Sequence, residues 1–169
     1  MEFTTKRLTI GAMAEDDLEQ ILDLLTNDTV GKTYMLPAYS YRAEAEPLAR
    51  RLVQLSAQET RYVAGIYWNQ TWIGIINATE IKDGQIELGY ALLPGYYNRG
   101  FATEALGGAI RFLLAEGFST VRTGAFAENA ASLRVMQKCG MRLQPHTDEI
   151  EYRGQMHHCV YYAATAEDL

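Results

Sequence analysis

One stretch constrains the fold more than any other part of the chain: Leu88-Gly89-Tyr90-Ala91-Leu92-Leu93-Pro94-Gly95-Tyr96-Tyr97-Asn98-Arg99-Gly100-Phe101-Ala102-Thr103-Glu104-Ala105-Leu106. Its first half alternates as a strand and breaks at Pro94-Gly95. A tyrosine-rich turn then passes through Gly100 and Ala102 into an amphipathic helix. Such a junction gathers unpaired backbone N–H groups at the positive end of a helix dipole, which makes an anion site. Small residues at 100 and 102 leave those amides bare, so Asn98, Arg99, Gly100, Phe101 and Ala102 are predicted to cradle the pyrophosphate of a cofactor. The plainer alternative is an ordinary strand-to-helix turn with Asn98 as its N-cap.

The rest of the chain reads as one succession of elements. Arg7-Leu8-Thr9-Ile10 predicts a first strand. Leu18, Ile21, Leu22 and Leu25 recur at i, i+3, i+4, i+7 behind the acidic turn Glu15-Asp16-Asp17, which suits a helix N-terminus. An aperiodic stretch over 27–41 precedes a second helix with Ala45, Leu48, Ala49 and Leu52 on one face, and Pro47 must lie in its first turn. Strands over 61–67, 72–81 and 85–93 form a meander, with Trp68-Asn69-Gln70-Thr71 and Lys82-Asp83-Gly84 as its turns. The motif helix follows, with Ala102, Ala105, Leu106, Ala109, Ile110 and Leu113 as its apolar face and Gly117 as its stop. A strand over 119–127, a helix over 129–138 closed by Gly140, and strands over 141–150 and 156–164 that turn at Arg153-Gly154 complete the chain. The order β-α-α-β-β-β-α-β-α-β-β describes an α+β domain spanning 1–169, a mixed sheet with helices on its faces.

Composition narrows the function classes. At 169 residues with 48% hydrophobic content, the chain carries enough apolar material for a core. A formal net charge of −6 argues against a nucleic-acid partner and suits cationic ones such as amines. Met1-Glu2-Phe3-Thr4-Thr5-Lys6-Arg7 has no signal-peptide core, and no run approaches the roughly 18 apolar residues of a membrane span. A cytoplasmic protein with no membrane partner is expected. Cys139 and Cys159 show neither metal nor redox spacing and read as buried thiols. His157 and His158 adjoin on a strand, hence face opposite sides, and no metal site is expected.

Strand parity divides the third meander strand. Ile86, Leu88, Tyr90 and Leu92 share one face and read as core; Glu87, Gly89, Ala91 and Leu93 share the other. The second face offers a slot of small residues beside a carboxylate, wide enough for a thin cofactor arm.

Ile86-Glu87-Leu88-Gly89-Tyr90 through Ala105, followed by Asn129-Ala130-Ala131-Ser132-Leu133-Arg134-Val135-Met136-Gln137-Lys138-Cys139-Gly140-Met141, resembles the GNAT superfamily of N-acetyltransferases. The likeness is greatest to the branch of ribosomal-protein alanine acetyltransferases, and it runs over essentially the whole chain. It implies a mostly antiparallel central sheet and acetyl-CoA as co-substrate, without a metal. The superfamily's loop, Gln/Arg-x-x-Gly-x-Gly/Ala, falls on 97–102, where Gly100 and Ala102 match and Tyr97 replaces the usual Gln or Arg.

The resemblance also implies roles. The pantetheine arm would pair with a splayed strand edge near Leu92 and Leu93. Glu87 occupies a position where some members place a general base, with Glu80 as the fallback; a carboxylate that binds or pairs with a cation is the alternative. Asn129 would contact CoA. Ser132 would hydrogen-bond the cofactor or protonate the departing thiolate, although Asn129 and Ser132 also suit plain helix capping. Met136 stands where many members carry a proton-donating tyrosine, which leaves Ser132, another tyrosine or water for that task. Tyr34, Tyr39 and Tyr41 fall where the family builds its acceptor wall. The implied reaction is direct transfer to a primary amine, foremost a protein or peptide α-amino group. A small amine (polyamine, amino acid or aminoglycoside) and a non-catalytic acetyl-CoA sensor are the alternatives. The expected assembly is a monomer or homodimer.

Overall fold

The computed structural model describes residues 1–168; Leu169, the last residue of the expected domain, lies outside them. In chain order the elements are β1 (Phe3–Thr4), β2 (Leu8–Gly11), α1 (Leu18–Leu25), α2 (Asp28–Gly31), α3 (Glu46–Ser56), β3 (Val63–Trp68), β4 (Thr71–Lys82), β5 (Gln85–Leu92), α4 (Phe101–Ala115), β6 (Thr120–Phe126), α5 (Ala130–Lys138), β7 (Arg142–Tyr152) and β8 (Gln155–Ala164). The expected order holds, with two short additions. β1 pairs with β2 at the sheet edge, and α2 lies inside the aperiodic stretch, where the Asn27 side chain accepts from the Thr29 and Val30 amides.

The strands form one sheet in the order β1-β2-β3-β4-β5-β6-β8-β7. Three of its hairpins turn on two left-handed residues each: Asn69-Gln70, Asp83-Gly84 and Arg153-Gly154. Consecutive left-handed residues give the turn whose twist matches that of the flanking strands. Pro47 sits in the first turn of α3, where its missing N–H costs nothing.

Helices cover both faces. On one, α4 packs Phe101, Ala105, Leu106, Ala109, Ile110 and Leu113 against Ile86, Leu88 and Leu92 of β5, and α5 adds Met136. On the other, α1 and α3 pack Ile21, Leu22, Leu25, Ala49 and Val53 against Val63, Ile75 and Ala91. Each fully buried aliphatic contributes on the order of 1.5–3 kcal/mol relative to exposure. Among the described residues no helix is long and apolar enough to cross a membrane.

Every pairing is antiparallel except β5 with β6. Those two strands are parallel because α4 carries the chain back across the sheet between them. Their ladder is short: Gln85 pairs with Thr120, Ile86 with Val121 and Glu87 with Arg122. Next, the Thr123 hydroxyl donates to the Leu88 carbonyl at 2.8 Å. Beyond that bond the strands part, opening a wedge in the middle of the sheet.

Candidate active site

The wedge exposes one backbone edge of β5. The Leu93 N–H donates to Ile73 O in β4 at 2.9 Å, so odd-numbered residues turn their backbone groups toward β4. By alternation Tyr90 and Leu92 turn theirs toward β6, into the wedge. Leu93 therefore leaves the expected pair of edge contacts. Its amide is spent in the sheet, and its carbonyl accepts from the Tyr96 N–H at 2.9 Å. The expected slot on the Glu87, Gly89 and Ala91 face is also corrected. Ala91 is buried in the second core, and a side chain on Gly89 would meet Tyr34 and Thr79 at 3.3 Å. The opening lies at the strand edge, not on the strand face.

At the far end of the wedge lies the loop before α4, where the anion cradle is expected. Asn98 (φ 58°) and Gly100 (φ 77°) are both left-handed. Asn98 is thus a loop residue, and Gly100 takes the N-cap position of α4. The helix's own ladder begins with the Glu104 N–H donating to Gly100 O at 3.0 Å, which leaves the amides of Phe101, Ala102 and Thr103 without helical partners. These bare donors, unshielded by any side chain on Gly100, fit a diphosphate.

The loop is braced from outside. Arg7 donates from Nη1 to Arg99 O at 3.0 Å and from Nε to Glu104 at 2.6 Å, and the Thr5 hydroxyl adds a bond to Glu104 at 2.7 Å. Burial works to raise the Glu104 pKa, but the bonds from Thr5 and Arg7 outweigh it and hold the carboxyl below its ordinary value. The Arg99 guanidinium lies 4.4 Å from the centroid of Trp68 and 5.0 Å from that of Phe101. Phe101 is itself buried, so it has only its N–H to offer a ligand.

Across the wedge stands the first turn of α5. The Asn129 side chain accepts from the Ser132 N–H at 3.2 Å, and the Ser132 hydroxyl lies 2.7 Å from the Tyr90 hydroxyl. Burial pushes the Tyr90 pKa up to about 12. Met136 is wholly enclosed in the first core, so that position serves packing alone. Parity put Tyr90 among core residues; nothing local marks its hydroxyl as the partner of Ser132, a residue 42 positions further along.

Glu87 lies on the opposite face, at the base of the wedge. Desolvation raises its pKa, against opposing effects of the Arg122 guanidinium, 3.5 Å away, and of a hydrogen bond from Thr79. A cavity of about 200 Å³ beside it is lined by the charged residues Glu80, Lys82, Asp83, Glu87 and Arg122, with Gln85 and Ile86. Nearby, Tyr161 donates to Asp148 at 2.8 Å, a bond that helps hold the Asp148 carboxyl below its ordinary pKa. Arg122 was not singled out from the sequence. Alternation sets it opposite buried Val121, but its pairing with Glu87 depends on which strands are neighbours.

The three expected acceptor-wall tyrosines separate. Tyr34 is part-buried over Gly89 and donates to Asn77 at 2.5 Å, Tyr39 packs on the second core, and Tyr41 is exposed. The loop holding Tyr34 is tied to the last hairpin: the Tyr152 hydroxyl donates to Gly31 O at 2.6 Å and accepts from the Leu36 N–H at 3.1 Å. His157 pairs with Glu128 while stacking on Phe126, and His158 pairs with Glu149. Cys159 is buried, whereas Cys139 is only partly so, its thiol directed at Thr103 O.

The sequence profile of the acetyltransferase (GNAT) domain matches residues 7–142. The chain belongs to the GNAT acetyltransferase family, and its class is that of acetyl-CoA-dependent N-acetyltransferases. An uncharacterised N-acetyltransferase of Bacillus subtilis strain 168, YoaA, is 28% identical over 147 residues, covering 82% of this chain and 81% of its own. Among solved structures, the ribosomal L7/L12 α-N-protein acetyltransferase RimL, in complex with CoA, is similar with a TM-score of 0.85 at 17% identity, over 100% of both chains. Spermidine N-acetyltransferase from Vibrio cholerae, in complex with CoA and spermine, is similar with a TM-score of 0.80 at 18% identity, over 96% of this chain and 97% of that one.

Proposed function

We propose that this protein transfers acetyl from acetyl-CoA to the α-amino group of a protein or peptide, by direct attack in a ternary complex. The observation that carries the reading is the wedge between β5 and β6, which runs from the amides before α4 past the edge of Tyr90 and Leu92 to Ser132. In this reading the amides of residues 98–102 hold the pyrophosphate, and the N–H groups of Leu92 and Tyr90 hold the pantetheine arm and the carbonyl oxygen as it gains charge. The co-substrate supplies the activated acetyl group as a thioester. Asn129 fixes the turn that presents Ser132, and the Ser132 hydroxyl donates to the departing sulfur.

Glu87 is the base. Three residues of extended strand, about 10 Å, separate it from Tyr90, and the two side chains lie on opposite faces. It therefore takes the amine's proton through water. A carboxyl with a raised pKa accepts a proton more readily than an ordinary one, and an α-amino group (pKa near 7.7–8.0) gives one up more easily than a lysine at about 10.4. Likeness to RimL along the whole chain favours the same acceptor.

A second reading has an observation of its own. Three carboxylates, Glu80, Asp83 and Glu87, line one small cavity with the two cations Lys82 and Arg122, and the single surplus carboxylate suits one ammonium of a polyamine such as spermidine. Thiol release can be followed with acetyl-CoA and three probes: unblocked peptides, N-terminally blocked lysine peptides, and spermidine. Turnover on the unblocked peptides alone is expected. Turnover on spermidine alone selects the second reading, and CoA binding with no turnover on any probe makes the protein a sensor.

A further inference from the structure

We infer that Tyr90 is a positioning residue for the leaving sulfur: its phenol holds the Ser132 hydroxyl so that the serine's own proton is aimed into the wedge. This rests on the acetyl-transfer reading and on the place of Ser132 in it. The two hydroxyl oxygens lie 2.7 Å apart, while the Ser132 carbonyl is 3.5 Å from the phenol and competes poorly. A phenol is a stronger donor than an aliphatic hydroxyl, so Tyr90 donates and Ser132 Oγ accepts. Ser132 is then left with one free hydrogen and a restricted choice of direction.

Two further features fit. Ser132 is the third residue of α5, so no earlier helical turn offers its hydroxyl a carbonyl, and the Tyr90 phenol is its partner; Asn129 fixes the Ser132 amide as well. The Tyr90 ring also packs on the first core, where a phenylalanine would serve as well. Packing thus explains the ring but not the hydroxyl.

The step balances without either hydroxyl losing its proton. The amine nitrogen bonds to the acetyl carbon, and the carbon–sulfur bond breaks with its electron pair on sulfur. The nitrogen's surplus proton leaves by way of Glu87. Ser132 donates a hydrogen bond to the negative sulfur, and Tyr90 keeps Ser132 in that orientation.

The test uses CoA itself and needs no acceptor. The thiol of enzyme-bound CoA is titrated by its ultraviolet thiolate absorbance, with the complex of desulfo-CoA subtracted. A hydrogen bond to a charged acceptor implies a thiol pKa about one unit lower in the native protein than in Tyr90→Phe or Ser132→Ala. Tyr90→Phe with Ser132→Ala combined is expected to match Ser132→Ala alone, because Tyr90 acts only through Ser132. If Ser132→Ala raises the titration and Tyr90→Phe leaves it at the native value, the inference falls while the role of Ser132 stands. If Ser132→Ala itself changes nothing, both fall. Additive shifts in the double variant give Tyr90 a separate effect and overturn the inference too.

Discussion

The two sides of the wedge are built from different materials. The mouth, residues 98–102 and the start of α4, is a backbone site. Its donors are amides, its shape comes from two left-handed residues, and its principal side chains (Arg7, Arg99, Glu104) brace the loop from outside. The base, around Glu87, is a side-chain site in which β5, β6 and the last hairpin each contribute a charged group. A backbone site tolerates changes of side chain and fails when the backbone is changed. A side-chain site behaves in the opposite way. In the proposed reading, Tyr97, standing where the family usually has Gln or Arg, is tolerated at the mouth for that reason. A comparable exchange at Glu87 or Arg122 would alter the chemistry.

The largest expected effect tests the side-chain half. Glu87→Gln is expected to lower kcat by about 10²–10⁴-fold and leave the KM for acetyl-CoA nearly unchanged. A loss confined to the acceptor KM would make Glu87 a binding carboxylate instead.

The next tests the backbone half. Gly100→Val places a branched side chain at φ 77°, its Cβ 3.4 Å from the Arg7 guanidinium that braces the loop. Acetyl-CoA affinity is expected to fall more than about tenfold, roughly 1.4 kcal/mol. Stability should fall by about 1–2 kcal/mol, because the left-handed conformation disfavours a Cβ. Calorimetry on the folded variant measures both, and unchanged affinity would mean that the diphosphate binds elsewhere.

Smaller in size, but sharper on mechanism, is Arg122→Gln. The guanidinium favours ionised Glu87, so its removal must push an already raised pKa further up. Since a base acts in its ionised form, the acidic limb of the pH profile of kcat/KM is expected to move to higher pH. A limb that stays in place, or moves down, removes Glu87 from the proton path.

The smallest effect concerns the tie between the Tyr34 loop and the last hairpin. Tyr152→Phe loses the bonds to Gly31 O and the Leu36 N–H and should cost about 1 kcal/mol, read by denaturant unfolding. Acetyl-CoA affinity should not change, since the loop lies on the other face of the sheet from α4. A parallel loss of CoA binding would join the two halves that this comparison separates.

Much of the fold was legible along the chain, because helices and hairpins are local. The apolar periodicity of α1 and α4, the Asn69-Gln70, Asp83-Gly84 and Arg153-Gly154 turns, and Pro47 in a first turn all follow from residues within a few positions of one another. The loop-to-helix junction at Gly100 was legible for the same reason, since Gly100, Ala102 and the start of α4 are contiguous. β1 escaped notice because two residues carry no period, and α2 because one turn of helix hides within an aperiodic stretch.

What tertiary structure alone decided is which strangers meet. The parity of β5 correctly separated Glu87 from Leu88, but it could not say that Tyr34 fills the space over Gly89 or that the Leu93 amide is consumed by β4. Nor could it find Arg122 beside Glu87 or Tyr90 beside Ser132, since each pair depends on β6 lying next to β5 and on the two then diverging. Local pattern is set by the period of the backbone, 3.6 or 2 residues, and so is written in neighbouring positions. The partner of a side chain across a parallel crossover is set by how far α4 carries the chain and by where two strands stop pairing. Both of those are outcomes of packing the whole core at once.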